Sequence, residues 1–148
     1  MRPLLLKSST PSFNSRVVTV SSTAHGFSTV QIGNYNQKTK VTSGYDPLID
    51  MPDVYNPAIA YGQSKTANIW MANEIERRYG DQGLHAISIH PGNIMTEGWA
   101  NLDPRVMELF KDLMQDPALQ KAFKSVPQGA ATQVLAAVGK DYEGVGGK

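Results

Sequence analysis

The run Arg16-Val17-Val18-Thr19-Val20-Ser21-Ser22 is the strongest constraint on how this chain folds. It is β-branched and apolar nearly throughout, so it reads as a strand buried on both faces, which suits a parallel sheet. A parallel partner must be reached through a crossover, and the sequence supplies one. From Ala60 to Tyr79 the pattern turns helical, with Ala60, Ile69, Trp70, Ala72, Ile75 and Tyr79 on a broad apolar face and Glu74, Glu76, Arg77 and Arg78 toward water. Gly80 and Gly83 stop that helix. Leu84-His85-Ala86-Ile87-Ser88-Ile89-His90 is a second strand, closed by Pro91-Gly92. Strand, helix, strand in this order implies a right-handed parallel crossover.

The remaining segments are arranged around that unit. The opening Met1-Arg2-Pro3-Leu4-Leu5-Leu6-Lys7 reads as the end of a helix; its apolar part is too short for a signal peptide. Residues 26–57 carry Gly33, Gly44, Pro47, Pro52 and Pro57 among polar residues and read as a long insert loop, a lid or a disordered stretch. Residues 91–103 form a loop with Gly98 and Trp99. Pro104 opens a helical stretch through Val106, Met107, Leu109, Phe110, Leu113 and Met114, broken near Asp116-Pro117. A last helix runs from about Pro127 to Val138, with Ser125 and Gln128 as a capping box and Gly139 as its stop. The glycine-rich Gly144-Val145-Gly146-Gly147 reads as a frayed tail.

Composition removes several classes of function. With 148 residues the chain makes one domain, 1–148, and a net charge of +1 offers no electrostatic footprint for nucleic acid or an acidic membrane surface. The absence of cysteine excludes a disulfide framework and a thiol nucleophile. No apolar run approaches the roughly 18 residues of a membrane helix. The address expected from this balance is cytoplasmic. No metal site is expected: His85 and His90, five apart on a strand, face opposite sides, and all three histidines read as surface or turn residues. A serine hydrolase is disfavoured because the chain has no Gly-x-Ser-x-Gly elbow.

The spacing that carries chemistry is Tyr61-Gly62-Gln63-Ser64-Lys65. Tyr61 and Lys65 sit one turn apart on one helix face. A phenol, with a pKa of about 10, is a poor base at neutral pH; a neighbouring ammonium favours the phenolate. Such a pair can exchange a proton with an alcohol or carbonyl. Ser21-Ser22 lies at the carboxyl end of the first strand, and His90-Pro91-Gly92-Asn93-Ile94-Met95-Thr96 follows the second. Ligands of open α/β sheets gather at those ends.

Taken together, Ser15 to Gly26, Tyr61-Gly62-Gln63-Ser64-Lys65-Thr66-Ala67-Asn68 and His90 to Thr96 resemble the short-chain dehydrogenase/reductase family. The phrasing is most similar to its retinol-dehydrogenase and WW-domain-oxidoreductase branch. The resemblance implies an α/β fold: the C-terminal half of a Rossmann-like, doubly wound parallel sheet lacking the N-terminal Gly-rich βαβ unit, so that 1–148 is a partial dinucleotide-binding domain. It implies Tyr61 as acid/base, Lys65 as its helper and holder of the nicotinamide ribose, and Ser22 as hydrogen-bond donor to the substrate oxygen. Pro91, Gly92, Ile94 and Thr96 would line the nicotinamide. The cofactor would be NADP or NAD and the substrate a small alcohol or carbonyl compound. Trp99, Met107, Phe110 and Met114 would either meet an apolar substrate or belong to the core.

The departures from the family pattern are equally specific. No Gly-x-x-x-Gly-x-Gly pattern exists to cradle a pyrophosphate, and the family's Asn-Asn-Ala-Gly segment and proton-relay asparagine are absent. The spacing from Ser22 to Tyr61 exceeds the family's short connection. The alternative expectation is therefore a non-catalytic truncated fragment, or an interaction subunit, that binds no cofactor alone. In the family the Tyr61 helix and the last helix often face a partner subunit, which makes a homo-oligomer or pairing with a full-length relative the expected assembly.

Overall fold

The structure, a computed structural model, describes residues 1–43 and 49–148, without the side chains at 100, 109, 112, 113 and 119. Gly44 and Pro47 of the expected loop, and the Leu109 and Leu113 side chains of the expected helix face, lie outside the described residues. The chain runs α1 (Arg2–Ser8), β1 (Ser15–Val20), α2 (Pro57–Tyr79), β2 (Leu84–Ile89), α3 (Pro104–Gln115), α4 (Pro117–Ala122) and α5 (Val126–Val138). β1 and β2 pair in parallel, in register from Ser15↔Leu84 to Val20↔Ile89. The fold class is thus α/β, with two parallel strands among the described residues.

Each face of β1 meets a helix, because successive strand side chains alternate. Thr19 and Ser21 point to α2, where Thr19 Oγ1 donates to the Asn68 carbonyl (3.0 Å) and Ser21 Oγ to the Lys65 carbonyl (2.9 Å). Arg16 points the other way, and its Nη1 donates to the carbonyls of Ala136 (3.2 Å) and Gly139 (2.7 Å) at the end of α5. A cation there also meets the negative end of the helix dipole. Of β1, only Ser15 and Thr19 are fully buried. The expectation of a strand buried on both faces is corrected: among the described residues β1 has one strand neighbour, and its valines are half-covered. β2 is the better-covered strand, buried from Leu84 through Ile87.

The apolar core lies beside the start of α2. Ile49, Met51, Ala58, Ile59 and Val106 form it, with Phe27, Val41 and Phe110 packed against it. Phe27 and Phe110 stack with ring centroids 6.2 Å apart. Phe110 is therefore a core residue, while Met107 is exposed. The long stretch before α2 is tied down by polar knots. The buried Gln37 and Asn56 exchange two hydrogen bonds (2.8 and 2.9 Å), Gln31 N donates to Gln63 Oε1 (2.8 Å), and Ser43 Oγ donates to the Phe27 carbonyl (2.9 Å).

Three further expectations are corrected. α2 begins at Pro57, capped by Asn56, whose Oδ1 accepts from Ala58 N and Ile59 N. Its buried positions are Ala58, Ile59, Gly62, Gln63, Thr66 and Ala72, whereas Trp70 is 46% exposed. Most of this buried face is small or polar, and of the expected apolar face Ala72 alone is fully buried, while Ala60, Ile69, Ile75 and Tyr79 are half-covered. His85 is buried rather than superficial, because Glu76 takes its Nδ1 (2.9 Å) and Asn14 its Nε2 (3.1 Å). The glycine-rich tail is not frayed: Gly147 N donates to the Ala86 carbonyl (2.9 Å), and Ser88 N and Oγ both donate to the Lys148 carbonyl (2.8 Å each). The predicted stop of α2 at Gly80, the break at Asp116-Pro117, the Ser125–Gln128 capping box and the Gly139 stop all stand.

Glu143 joins these elements. It accepts from the Asn14 backbone N–H and pairs with Arg16 Nη2 at 2.7 Å, and the Arg16 side chain is 1% exposed. The Asn14 N–H first, then the Arg16 guanidinium, hold its carboxyl below the ordinary value of 4.5. A depressed carboxylate pKa stabilises the fold above the unfolded value and loses that contribution as pH falls through the folded value. Glu143→Gln is therefore expected to lower the thermal midpoint near pH 7, with the difference from the parent shrinking as pH falls below the ordinary carboxylate value. Melts followed by circular dichroism across a descending pH series check this.

Candidate active site

The parallel register brings the carboxyl ends of β1 and β2 to one edge, where Ser21 N extends the ladder by donating to the Ile89 carbonyl (2.8 Å). Ser21-Ser22 and His90-Pro91 thus leave the sheet side by side, at the roughly 4.8 Å spacing of neighbouring strands. The first turns of α2 reach the same edge. Lys65 Nζ donates to the Val20 carbonyl at 3.1 Å, and Asn68 Nδ2 donates to the same oxygen at 2.8 Å. Lys65 Nζ also stands 5.2 Å from the centroid of the Tyr61 ring, within cation–π reach. Tyr61 is 50% exposed, so its phenol is open to a ligand.

The two serines differ in their surroundings. Ser21 is buried, and its hydroxyl is committed to the Lys65 carbonyl. Ser22 is half-buried and caps the 3-10 turn Thr23–Phe27, its Oγ accepting from Ala24 N at 3.2 Å. Among the described residues its own O–H donates to no protein group, which leaves that hydrogen for a ligand. His25 turns its Nδ1 back onto the Ser22 carbonyl (2.6 Å).

α2 approaches this edge closely because of Gly62. A Cβ there would stand 2.8 Å from the Ala24 carbonyl oxygen and 2.9 Å from Phe27 Cβ. Thr66, one turn on, donates its hydroxyl to the carbonyls of Ser28 (2.8 Å) and His25 (3.1 Å). The helix carrying Tyr61 and Lys65 is thereby fixed to the turn carrying Ser22.

The loop after β2 is held from the other side. Gly92 has φ +94°, and a Cβ on it would meet Lys124 Cγ at 2.8 Å, so the position requires glycine on both counts. Lys124 N donates to the Asn93 carbonyl (2.7 Å), and Ile94 pairs with Lys124 in a parallel bridge. Pro91 and Ile94 are half-buried and Thr96 is exposed. The structure thus pairs Tyr61 with Lys65 on the turns of α2 that pack against the turn capped by Ser22, with Pro91 and Gly92 following the neighbouring strand. Ile94 and Thr96 lie further along the loop, which leans on Lys124 and the first turn of α5. Sequence reasoning missed Asn56, Gly62, Asn68 and Gly129. Asn56-Pro57 carries the ordinary cap-and-first-turn signature, which would have found the first of them.

Two parallel strands joined through α2, with a tyrosine, a lysine and a serine near their carboxyl edge, place the chain in the α/β class. Comparison with known proteins makes that class specific. No family model matches the chain. It is 46% identical over 143 residues to the short-chain dehydrogenase/reductase prx1 of Penicillium roqueforti, covering 97% of this chain and 37% of that protein. It is 44% identical over 151 residues to the oxidoreductase calI of Penicillium decumbens, covering 99% of this chain and 39% of that one. The human WW domain-containing oxidoreductase matches at 33% over 135 residues, 89% of this chain and 29% of its own length. The chain belongs to the short-chain dehydrogenase/reductase family. It spans somewhat over a third of the length of these fungal relatives. No helix among the described residues is long and apolar enough to cross a membrane.

Gly62→Ala tests the close approach of α2. Alanine favours a helix over glycine by about 1 kcal/mol, yet crowding against fixed backbone costs about 1–3 kcal/mol. The expected outcome is a lower urea midpoint at unchanged slope; an unchanged or raised midpoint contradicts the packing described.

Proposed function

We propose that this chain serves hydride transfer between NADP or NAD and an alcohol or carbonyl substrate, as part of a Rossmann-like, doubly wound dinucleotide-binding domain to which all of 1–148 belongs. The observation that carries the reading is the Tyr61–Lys65 pair on the first turns of α2, anchored at the carboxyl end of β1 through the Val20 carbonyl. The names of the fungal relatives agree with it.

The residues present fit the nicotinamide side of such a cofactor. Lys65 spends one ammonium hydrogen on the Val20 carbonyl and has others to offer a ribose hydroxyl. Gly92, without a side chain and at positive φ, lets backbone come close to a flat ring. Pro91, Ile94 and the exposed Thr96 hydroxyl continue that wall. When bound, the cofactor supplies or accepts the hydride. Tyr61 Oη passes the proton to or from the substrate oxygen. Lys65 sets a positive charge beside the phenol and so counters negative charge developing on it. Ser22 O–H donates to the substrate oxygen and stabilises its charge as the carbonyl becomes an alkoxide. The open hydroxyl of Ser22 supports it over Ser21, whose hydroxyl is spent.

The test is a titration of the chain with NADPH followed by nicotinamide fluorescence, and then by carbonyl turnover. Saturable micromolar binding is expected. Tyr61→Phe should keep that binding and lose turnover by about 10²–10⁴-fold, while Lys65→Met weakens both. No saturable binding by the unmodified chain overturns the reading.

A further inference from the structure

Ile94 is held by two contacts from opposite ends of the segment that follows it. Its carbonyl accepts the indole N–H of Trp99 at 2.7 Å. Its side chain rests on Gly129 in the first turn of α5, where a Cβ would overlap Ile94 Cδ1 outright and stand 3.0 Å from Cγ1. Gly129 is fully buried, in a helix whose neighbouring residues Ala130 and Ala131 show that a methyl is otherwise acceptable. Helix propensity alone would favour alanine at that position. The absent methyl therefore answers to Ile94. Trp99 is itself fixed, its ring 6.0 Å from that of Phe123 and tilted by 56°. Phe123 immediately precedes Lys124, which bonds the Asn93 carbonyl and bridges to Ile94. Residues 95–123 thus leave and rejoin the loop at one place, and both ends close on Ile94.

We propose that Gly129 and Trp99 are positioning residues that act through Ile94. Gly129 seats the Ile94 side chain, the Trp99 indole fixes the Ile94 carbonyl, and together they set the attitude of the Pro91–Thr96 loop. That loop's role toward a nicotinamide rests on the function proposed above; the latch itself does not. The segment 95–123, which begins and ends at this latch, cannot shift at its base without turning the Ile94 peptide. Substrate contacts made by the segment are thereby relayed to the loop.

The experiment uses Trp70→Phe as background, leaving Trp99 as the single tryptophan of the two in the chain. Gly129→Ala is expected to shift Trp99 emission to the red and raise its quenching by acrylamide severalfold. Adding Ile94→Val, which removes Cδ1, is expected to restore both. NADPH affinity should fall in Gly129→Ala. Emission that ignores Gly129→Ala, or a change that Ile94→Val does not reverse, overturns the proposal. A second measurement needs no variant of Gly129: in the unmodified chain the Trp99 indole N–H should exchange with solvent far more slowly than that of the half-exposed Trp70, and equal rates overturn the latch. If the latch responds as expected while the unmodified chain binds no NADPH, the latch stands and the oxidoreductase reading falls.

Discussion

The geometry of the candidate site depends on polar suturing of α2 to β1. Thr19, Ser21, Lys65 and Asn68 make four hydrogen bonds across that contact, and two of them converge on the Val20 carbonyl. Each contributes only about 1 kcal/mol net, less than a buried leucine. Their value lies in direction. Apolar surfaces can slide by a fraction of a side chain at little cost, whereas a hydrogen bond weakens steeply once its angle or length departs from the optimum. A helix that must present Tyr61 and Lys65 at a strand end is better located by directional bonds than by grease. The small residues on its buried face, Ala58, Gly62 and Ala72, permit the close approach that those bonds need.

The same feature explains what could be read from the sequence. Features coded by neighbouring residues were legible: the Ser125–Gln128 box, the stops at Gly80 and Gly139, the break at Asp116-Pro117 and the i,i+4 relation of Tyr61 to Lys65. The inward face of α2 was not, because the buried Gln63 Oε1 and Thr66 hydroxyl bond to Gln31, His25 and Ser28, which lie more than thirty residues away. A polar residue with a distant partner is indistinguishable in sequence from a solvated one. His85 hid for the same reason, its partners Glu76 and Asn14 coming from α2 and the turn before β1. The tail pairs through backbone, and Gly146-Gly147 carry no side-chain pattern that could announce it.

Two parts of the edge are held by different physics. The Ser22–Tyr61–Lys65 side is fixed by hydrogen bonds, and its tolerance to substitution is chemical: a change at Thr19 removes a donor from the Asn68 carbonyl, and a change at Asn68 removes one of the two donors to the Val20 carbonyl. The Pro91–Thr96 side is fixed chiefly by missing atoms. Gly92 and Gly129 each stand where a Cβ would strike Lys124 or Ile94, so its tolerance is steric.

That difference bears on how each part can respond to a ligand. A hydrogen-bonded suture yields cooperatively or not at all, since breaking one bond in a shared set exposes the others to water. A steric seat is one-sided: it blocks motion toward the neighbour and leaves motion away from it opposed only by weak dispersion contacts. The Ser22–Tyr61–Lys65 side is therefore the more firmly located part of the edge, and the loop after β2 the more adjustable one. Among the described residues, the Trp99 indole and the Lys124 amide donate to the Ile94 and Asn93 carbonyls and so oppose that lifting motion.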